Sequence, residues 1–474
     1  MQLQEGNGAI RVMENVKRRA ELVCKQARSL TKAIGKASKD VVDSEWNEPE
    51  LLPQLFSTEY VDTLMLLAKA AGKIVSGQPV LAEASVPCRV FGDIHGQLRD
   101  MLLLLHAFGD PGTQEDLHVV FNGDFVDRGM HQLAVIGLLF AMKIVMPHRI
   151  WLVRGNHEDR LMNDKYGFRD ECHRLLGKEV GNCIYALIQD VFSYLPLACS
   201  IAGRVLTVHG GLGDGIWNLE DLMHVPRPLD EKRLNSGEFR WVQAIMWSDP
   251  IEDSKCDKRA IFGVHSSPRG KFVNQFGWNV TKAFCARNGL GLVVRSHQSK
   301  QNSPGFEVMH ENLLARIFSA RDYEGHGNDG AVLLISPYND EDGEDKVAAT
   351  KNGVAPCAEA RHLSVRAQVL GSTTKARAEA RARRKVDDSC PPEAAAAEGE
   401  RPQGRRAGSP AKDRAPSAEH GAARRRRRPS QDGGVSSSTG SASSPAPPRS
   451  SGRCGSKGRD EPGRPPRAAA QAAR

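Results

Sequence analysis

The chain has 474 residues, which is enough for one large domain or two of ordinary size. Its net charge of +8 is unevenly spread: residues 351–474 carry 26 Lys and Arg against 12 Asp and Glu, residues 1–40 are also basic, and the body between them is acidic. This pattern argues against a uniformly basic nucleic-acid-binding protein. The longest apolar stretch, Leu133 to Met146, is too short to cross a bilayer and predicts a buried helix.

Residues 1–46 form a basic extension that the apolar spacing predicts to be helical. Apolar side chains recur every three or four residues from Ala9 to Ile34, with Lys and Arg between them. We expect this amphipathic helix to pack on the main domain. A calmodulin-type helix and a membrane-surface helix are alternatives, because both are typically basic and amphipathic, and a mobile extension is the third.

Residues 47–340 have the pattern of a globular α/β domain. Strand, polar loop and helix follow one another three times, with strands predicted at 86–91, 117–122 and 150–154. Further strands are predicted at 205–208 and 292–294, in a second half that is richer in β structure. Each polar loop follows the carboxyl end of a strand, where open α/β sheets place their ligands.

Residues 341–474 are predicted to be a disordered, basic, low-complexity tail. Ala, Arg, Pro, Ser and Gly dominate this segment, which therefore has too little apolar surface to offset the entropy of ordering it. A basic tail tethered to an acidic body should dock on it at low salt. The run Arg424–Arg428 is either a nuclear import signal or a solvated charge run, and Ser430 after it is a candidate kinase site.

The ten cysteines are scattered along the chain and include no C-x-x-C pair. No signal peptide is recognisable at the amino terminus. These two observations predict reduced thiols and a cytoplasmic or nuclear location.

Five short motifs stand at the ends of predicted strands. They are Gly92-Asp93-Ile94-His95-Gly96, Gly123-Asp124-Phe125-Val126-Asp127-Arg128-Gly129, Gly155-Asn156-His157-Glu158, His209-Gly210-Gly211 and Arg295-Ser296-His297. Each alone could be an ordinary turn or a capped helix start. Together they supply the carboxylate, amide and imidazole groups that two divalent metals bind. Two adjacent metals suit the attack of activated water on a phosphate ester.

The set of motifs resembles that of the calcineurin-like metallophosphoesterases, and more narrowly the phosphoprotein phosphatase (PPP) family of serine/threonine phosphatases. The further matching pieces are Tyr166-Gly167-Phe168, Trp247-Ser248-Asp249-Pro250, Arg269-Gly270, Phe276-Gly277 and Phe318-Ser319-Ala320-Arg321-Asp322-Tyr323. The resemblance covers roughly residues 48–338 and looks nearest to the protein phosphatase 5 and rdgC/PPEF-like branch. It implies an α/β fold in which helices flank a central β-sandwich.

The resemblance also implies a role for each motif residue. Two divalent metal ions would be held by Asp93, His95, Asp124, Asn156, His209 and His297, with Asp124 bridging. Phosphate would be bound by Arg128 and Arg269, with Asn156 and Tyr323 nearby. His157 would be the general acid, oriented by Asp127. Manganese is the expected metal in vitro, and iron or zinc also fits these ligands.

The implied activity is that of a metal-dependent protein serine/threonine phosphatase, a phosphoric monoester hydrolase. Water activated by the two metals would attack phosphoserine or phosphothreonine in line. The paired arginines are needed because the metal centre alone does not neutralise a phosphate dianion, and the guanidinium group binds phosphate oxygens in a planar, bidentate way. A protonated imidazole is needed because a serine or threonine alkoxide is a poor leaving group.

One loop departs from the family pattern. The family usually has Ser-Ala-Pro-Asn-Tyr, whereas Arg321-Asp322 replaces Pro-Asn here. The residues that follow Tyr323 also lack the Cys found there in several relatives. Tyr323 itself is kept, so the departure bears on substrate choice and inhibitor sensitivity rather than on catalysis.

Two other classes of function are weighed against the phosphatase. A small-molecule phosphoesterase such as a diadenosine tetraphosphate hydrolase has similar Asp, His and Asn motifs, but the pieces around Trp247, Arg269 and Tyr323 follow the protein phosphatase pattern. A non-catalytic scaffold would have lost ligands, and every motif residue is present. The expected partners are phosphoserine and phosphothreonine proteins and regulatory or targeting subunits, without nucleic acid.

Overall fold

The computed structural model describes residues 2–36, 48–252, 262–338 and 363–379, all of which lie in one compact unit, Met1–Glu393. The helices are α1 Gln2–Lys36, α2 Glu48–Phe56, α3 Tyr60–Ser76, α4 Leu98–Phe108, α5 Gln132–Val145, α6 Arg160–Tyr166, α7 Phe168–Leu176, α8 Lys178–Tyr194, α9 Leu219–Met223, α10 Glu231–Leu234, α11 Arg240–Trp247 and α12 Trp278–Asn288. Short 3-10 helices lie at Gly237–Phe239 and Tyr323–Gly325.

The strands are short and fall into three sheets. They are β1 Leu81–Ala84, β2 Cys88–Phe91, β3 His118–Phe121, β4 Ile150–Leu152, β5 Ala198–Ile201, β6 Val205–Val208, β7 Asp249–Pro250, β8 Val264–Ser267, β9 Gly270–Phe276, β10 Leu292–Arg295, β11 Phe306–Met309, β12 Leu314–Ile317, β13 Gly330–Pro337 and β14 Leu363–Leu370. The sheet orders are β14-β13-β2-β3-β4, β1-β5-β6-β10-β12-β11 and β7-β9-β8.

The two larger sheets form a sandwich, which confirms the predicted fold class. Side chains of both sheets meet in one buried cluster that contains Val90, Val120, Val294 and Leu333. Alternation along β3 turns Val120 to this cluster and Phe121 to the helices outside, because successive side chains of a strand face opposite sides. A second cluster lies between the five-stranded sheet and helices α1 to α5, α7 and α8, and a third packs helices on the six-stranded sheet.

Parallel pairing brings the motif loops to one edge of the sandwich. In the five-stranded sheet β2 pairs with β3, and β3 with β4, all in parallel. In the other sheet β10 pairs in parallel with both β6 and β12. The carboxyl ends within each parallel set therefore lie on the same side, as the sequence predicts.

Helix α1 confirms the expectation of an amphipathic helix packed on the main domain. Its apolar stripe, which includes Val16, Ala20 and Val23, is buried in the same cluster as helix α5. The side chain of Arg19 also bonds Thr63 and Glu59 at the start of α3. Because this stripe is already buried, neither a calmodulin-type partner nor a membrane surface could bind it unless α1 first dissociated from the domain.

The prediction of a disordered tail is wrong for residues 363–379. Strand β14 pairs with β13 along its whole length, from Leu363 opposite Pro337 to Leu370 opposite Gly330, and a helical segment follows at 373–379. Leu363 and Ala367 pack on the cluster between the sheets, so β14 covers an edge that β13 would otherwise expose. The predictions for Arg424–Arg428 and Ser430 lie outside the described residues.

Two further expectations can be compared with the fold. The apolar stretch from Leu133 is the buried helix α5, in which Lys143 donates to the carbonyl oxygens of Pro147 and Ile150.

No described helix combines the length and apolarity needed to span a membrane. Among the described cysteines, Cys183 is exposed, and the buried free thiols are those of Cys24, Cys88, Cys172, Cys199 and Cys285.

Candidate active site

The predicted metal ligands come together at the edge of the sandwich. Asp93 and His95 follow β2, Asp124 follows β3, Asn156 follows β4, His209 follows β6 and His297 follows β10. All six are buried. Donor atoms of Asp124, His209 and His297 lie within 4.8 Å of one another, and so do those of His95, Asp124 and His157. Asp124 belongs to both groups, which is the position that the sequence prediction gave to a bridging carboxylate.

The distances inside this cluster fit shared cations. The Nε2 atom of His95 is 3.8 Å from Asp93 Oδ2 and 3.6 Å from Asp124 Oδ2. The Nε2 atom of His209 is 3.2 Å from Asp124 Oδ2 and 2.9 Å from Asn156 Oδ1. Ligands that share one cation at about 2.0–2.2 Å lie roughly 3 to 4 Å from one another, so these atoms can converge on metal without a large rearrangement.

Backbone carbonyl groups orient two of the imidazoles. Nδ1 of His95 lies 2.9 Å from the carbonyl oxygen of Val126, and Nδ1 of His209 lies 2.7 Å from that of Asn122. A carbonyl oxygen can only accept, so it selects the tautomer whose Nδ1 carries the proton. The Nε2 lone pair is then free to bind metal, which is the usual arrangement for a ligating histidine.

The buried groups of the cluster call for positive charge. Burial and then the neighbouring Asp124 raise the pKa of Asp93 to about 7. The Nε2 atom of His297 is buried and has no hydrogen-bond partner among the described residues. Two close carboxylates and an unpaired imidazole nitrogen are costly to bury alone, and divalent cations would satisfy both. The residues present therefore fit a pair of divalent metal ions, with oxygen and nitrogen donors that suit manganese, iron or zinc.

Two glycines allow the ligand loops to approach each other. A Cβ atom on Gly155 would lie 2.4 Å from Asp124 Oδ1, and one on Gly123 would lie 2.6 Å from His209 Nδ1. Gly123 also has a φ of +86°, which disfavours other residues. The glycine that precedes each of Asp124 and Asn156 is thus required by the close packing of the ligand loops.

Glu158 joins two of these loops, a role that sequence reasoning missed. Its buried carboxylate accepts hydrogen bonds from the backbone N–H groups of Asp124, Phe125 and Gly155, each at 2.8 Å. Glu158 lies just before helix α6, which begins at Arg160 and is capped by Asp159. Only the spacing of Glu158 from its motif neighbours could have drawn attention to it.

His157 and Asp127 form a buried pair beside the ligands. His157 Nδ1 is 2.7 Å from Asp127 Oδ2, and Asp127 also accepts from Asn163 Nδ2 at 2.9 Å and from the N–H group of Phe168 at 3.1 Å. Burial lowers the pKa of His157, but the carboxylates of Asp124 and Asp127 outweigh it and raise that pKa above its usual value. Asp127 is outside the predicted ligand set, so it can hold the imidazole whether or not metal engages Asp124.

The two predicted phosphate-binding arginines lie beside this cluster with carboxylate partners. The guanidinium group of Arg128 stacks 3.9 Å above the ring of Tyr166 and forms an ion pair with Glu324. The Nε atom of Arg269 is 2.5 Å from Asp249 Oδ2. Burial and then the positive charge of Arg269 lower the pKa of His297.

Asp249 is a second group that sequence reasoning did not assign. It accepts from Arg269 and also, at 2.9 Å, from Nη2 of the fully buried Arg295. Arg295 in turn donates to the carbonyl oxygen of Gly210, the residue after His209. The motif pieces Trp-Ser-Asp-Pro and Arg-Ser-His are therefore linked through one carboxylate that fixes the position of Arg269.

Tyr323 lies over the predicted ligand His95, with 4.9 Å between the ring centroids. Its backbone N–H group donates to Asn328 Oδ1 at 3.0 Å, and Asn328 Nδ2 donates to the carbonyl oxygen of Ala320 at 2.7 Å. Ala320 is tied to the ligand loop, because its N–H group donates to the carbonyl oxygen of Asp93 at 2.9 Å. Every residue predicted from the sequence to belong to the site therefore lies in or beside one cluster.

Comparison with known proteins identifies the family to which the chain belongs. The calcineurin-like phosphoesterase family matches residues 87–301. A protein serine/threonine phosphatase from Saccharomyces cerevisiae with similarity to human phosphatase PP5 has a solved structure that is 32% identical in sequence, with a TM-score of 0.51 over 58% of this chain and 82% of that one. The chain belongs to the phosphoprotein phosphatase family of serine/threonine phosphatases.

The chain matches only part of the length of its curated relatives. The serine/threonine-protein phosphatase rdgC of Drosophila melanogaster is 38% identical over 280 residues, which cover 57% of this chain and 40% of rdgC. Serine/threonine-protein phosphatase BSL2 of Arabidopsis thaliana is 34% identical over 272 residues, which cover 57% of this chain and 26% of BSL2. The chain thus spans from about a quarter to little more than half of the curated relatives it matches.

Proposed function

We propose that this protein is a metal-dependent serine/threonine phosphatase that hydrolyses phosphoserine and phosphothreonine in proteins. The observation that carries the proposal is the joint burial of a full ligand set with an imidazole–carboxylate pair, His157 and Asp127, directly beside it. A metal site alone would suit many reactions. A metal site with its own oriented proton donor suits an ester whose leaving group must be protonated.

The metal-binding residues are proposed to be Asp93, His95, Asp124, Asn156, His209 and His297. When bound there, two divalent cations would supply Lewis acidity and lower the pKa of water. Manganese is the proposed metal in vitro, with iron or zinc as alternatives. The orphaned Nε2 atom of His297 and the two buried carboxylates support this assignment, because metal would satisfy all three.

His157 is proposed to protonate the leaving alkoxide. Asp127 accepts from Nδ1, so the imidazole presents the proton on Nε2 to the substrate. The additional hydrogen bonds that Asp127 accepts from Asn163 and Phe168 keep the carboxylate in place. An oriented general acid typically contributes about 10²–10⁴-fold to the rate.

Arg128 and Arg269 are proposed to bind the phosphate oxygens, with Asn156 and Tyr323 nearby. A guanidinium group presents parallel N–H donors that match two phosphate oxygens. Asp249 and the ring of Tyr166 hold these side chains before substrate arrives, which reduces the entropy lost on binding. During in-line attack of water on the phosphorus atom, the two guanidinium groups would stabilise the negative charge on the phosphate oxygens.

The proposal extends to the partners and the location of the protein. Phosphoproteins are the proposed substrates, and regulatory or targeting subunits are the further proposed partners. The free thiols of Cys24, Cys88 and Cys199 support a reducing compartment, the cytoplasm or the nucleus. Subcellular fractionation of cells that express the full chain tests the location.

The deciding experiment measures phosphate release from phosphoserine and phosphothreonine peptides by the purified full chain with Mn²⁺. We expect release that is abolished by a chelator and by Asp93→Asn, and retained by the matched control Asp190→Asn, which changes an exposed carboxylate on α8. Diadenosine tetraphosphate is assayed in parallel. Release from that compound but not from the peptides would replace the proposal with a small-molecule phosphoesterase.

A further inference from the structure

The loop after β12 places a carboxylate on a predicted phosphate-binding arginine. Glu324 directly follows Tyr323. Its Oε1 atom is 2.5 Å from Arg128 Nη1. Both side chains are partly exposed, 29% for Arg128 and 43% for Glu324, so substrate can reach the pair.

The backbone of this loop is held in an unusual conformation. Asp322 and Glu324 have φ angles of 52° and 47°, in the left-handed region that residues other than glycine rarely adopt. The carboxylate of Asp322 accepts hydrogen bonds from Ser372 Oγ, the Thr373 N–H group and Thr373 Oγ1, which hold this residue from a distant part of the chain. Glu324 is paired with Arg128 across 196 positions of the chain. The strained backbone therefore serves to present the Glu324 carboxylate to Arg128.

The segment after β14 stabilises this arrangement from outside the family domain. The hydrogen bonds from Ser372 and Thr373 keep the pKa of Asp322 low even though its burial acts to raise it. Lys375 Nζ adds an ion pair to Asp329 at 3.2 Å, and the N–H group of Ser372 donates to the same carboxylate at 2.8 Å. The loop that carries Tyr323 and Glu324 is thus braced on both sides.

A carboxylate and a phosphate present similar oxygen pairs to a guanidinium group. We propose that Glu324 is an internal competitor for the phosphate site, which occupies Arg128 in the substrate-free protein and leaves it when a phosphate dianion binds. The proposal rests on the proposed function in one respect only, that Arg128 binds phosphate. It makes Glu324 a residue that weakens phosphate binding and thereby sets how readily small anions, including the product, occupy the site.

The test measures the binding of inorganic phosphate to the metal-loaded full chain by isothermal titration calorimetry. Glu324→Gln keeps the shape of the side chain and removes its charge. Because partly exposed ion pairs are weak, we expect Glu324→Gln to bind phosphate about two- to five-fold more tightly than the wild type. The KM for a phosphopeptide should fall by a similar factor.

The matched control is Glu311→Gln. Glu311 also has a left-handed backbone, with a φ of 57°, and it forms a partly exposed ion pair with Lys282 at 2.8 Å. We expect this change to leave phosphate affinity unaltered. The Arg128→Ala background separates direct competition from a general charge effect, because Glu324→Gln should have no effect once Arg128 is absent.

Three results would overturn the proposal. The first is equal phosphate affinity in the wild type and Glu324→Gln. The second is a gain in phosphate affinity from Glu324→Gln that stays just as large in the Arg128→Ala background. The third is that neither the wild type nor any of the variants binds phosphate. The proposed function fails separately. Wild-type protein that binds phosphate but releases none from phosphopeptides would contradict the phosphatase assignment and still allow the effect of Glu324 to be measured.

Discussion

The strand-end ligand loops and the loop at residues 320–328 meet at one site, but different contacts hold them. The ligand loops are buried, and their positions are set by backbone groups that donate to buried carboxylates such as Glu158 and Asp127. The 320–328 loop is partly exposed, departs from the family sequence and is braced by Ser372 and Thr373. The comparison indicates that buried contacts within the domain position the predicted ligands, whereas contacts with the segment after β14 position the 320–328 loop.

The largest effect is expected from His157, which lies beside the buried ligand loops. His157→Asn should keep its metal content but lower turnover on a phosphoserine peptide by about 10²–10⁴-fold, because the alkoxide would leave without a proton donor. The loss should be smaller on aryl phosphates, whose leaving groups need less protonation. Steady-state rates on both substrates, with metal analysis of each preparation, measure this difference.

The control for this prediction is His224→Asn, which changes an exposed histidine at the end of α9. It should behave as the wild type. If His157→Asn hydrolysed phosphoserine peptides at the wild-type rate, the general acid would have to be another group.

A medium effect is expected from Glu158, which joins two of the buried ligand loops. Glu158→Gln replaces one acceptor oxygen with an amide group that faces N–H donors, so up to three hydrogen bonds are lost or weakened. We expect the free energy of unfolding to fall by roughly 2–4 kcal/mol. Urea denaturation of the metal-free protein measures it, since bound metal would mask the change.

Glu179→Gln is a suitable control for that measurement, because Glu179 is exposed in the first turn of α8. Its change should alter the free energy of unfolding by about 0.5 kcal/mol or less. Equal stability of the Glu158 and Glu179 variants would show that the ligand loops do not depend on the buried carboxylate.

The smallest effect is expected in the 320–328 loop. Thr373→Val removes the hydroxyl that donates to Asp322 at 2.7 Å but keeps the backbone N–H donor. We expect a loss of about 1 kcal/mol in the free energy of unfolding and no change in metal content. The comparison with exposed Thr58→Val, measured by urea denaturation, isolates the hydroxyl.

A loss of metal from the Thr373 variant would contradict the division between the two parts. It would mean that the segment after β14 supports the ligand cluster itself. Unchanged stability relative to Thr58→Val would instead show that the two backbone donors at residues 373 and 374 hold Asp322 without the hydroxyl.

Local patterns made most of the fold predictable. The strands expected at 117–122 and 150–154 lie within two residues of β3 and β4, and the helix expected from the amphipathic spacing of the first residues is α1. Strand β14 was missed because its alternating apolar residues are few and lie within a segment whose overall composition is that of a disordered chain. Its order depends on β13, with which it pairs along its whole length.

The sequence by itself determined which chemical groups stand at the strand ends, because each motif is a short strand, loop and helix whose pattern is local. It could not determine which carboxylate meets which cation or N–H donor. Glu324 meets Arg128 across 196 positions, and Glu158 meets Asp124 across 34. Such pairs form only when two distant loops are brought to the same edge of the sandwich, so the tertiary structure alone decided them.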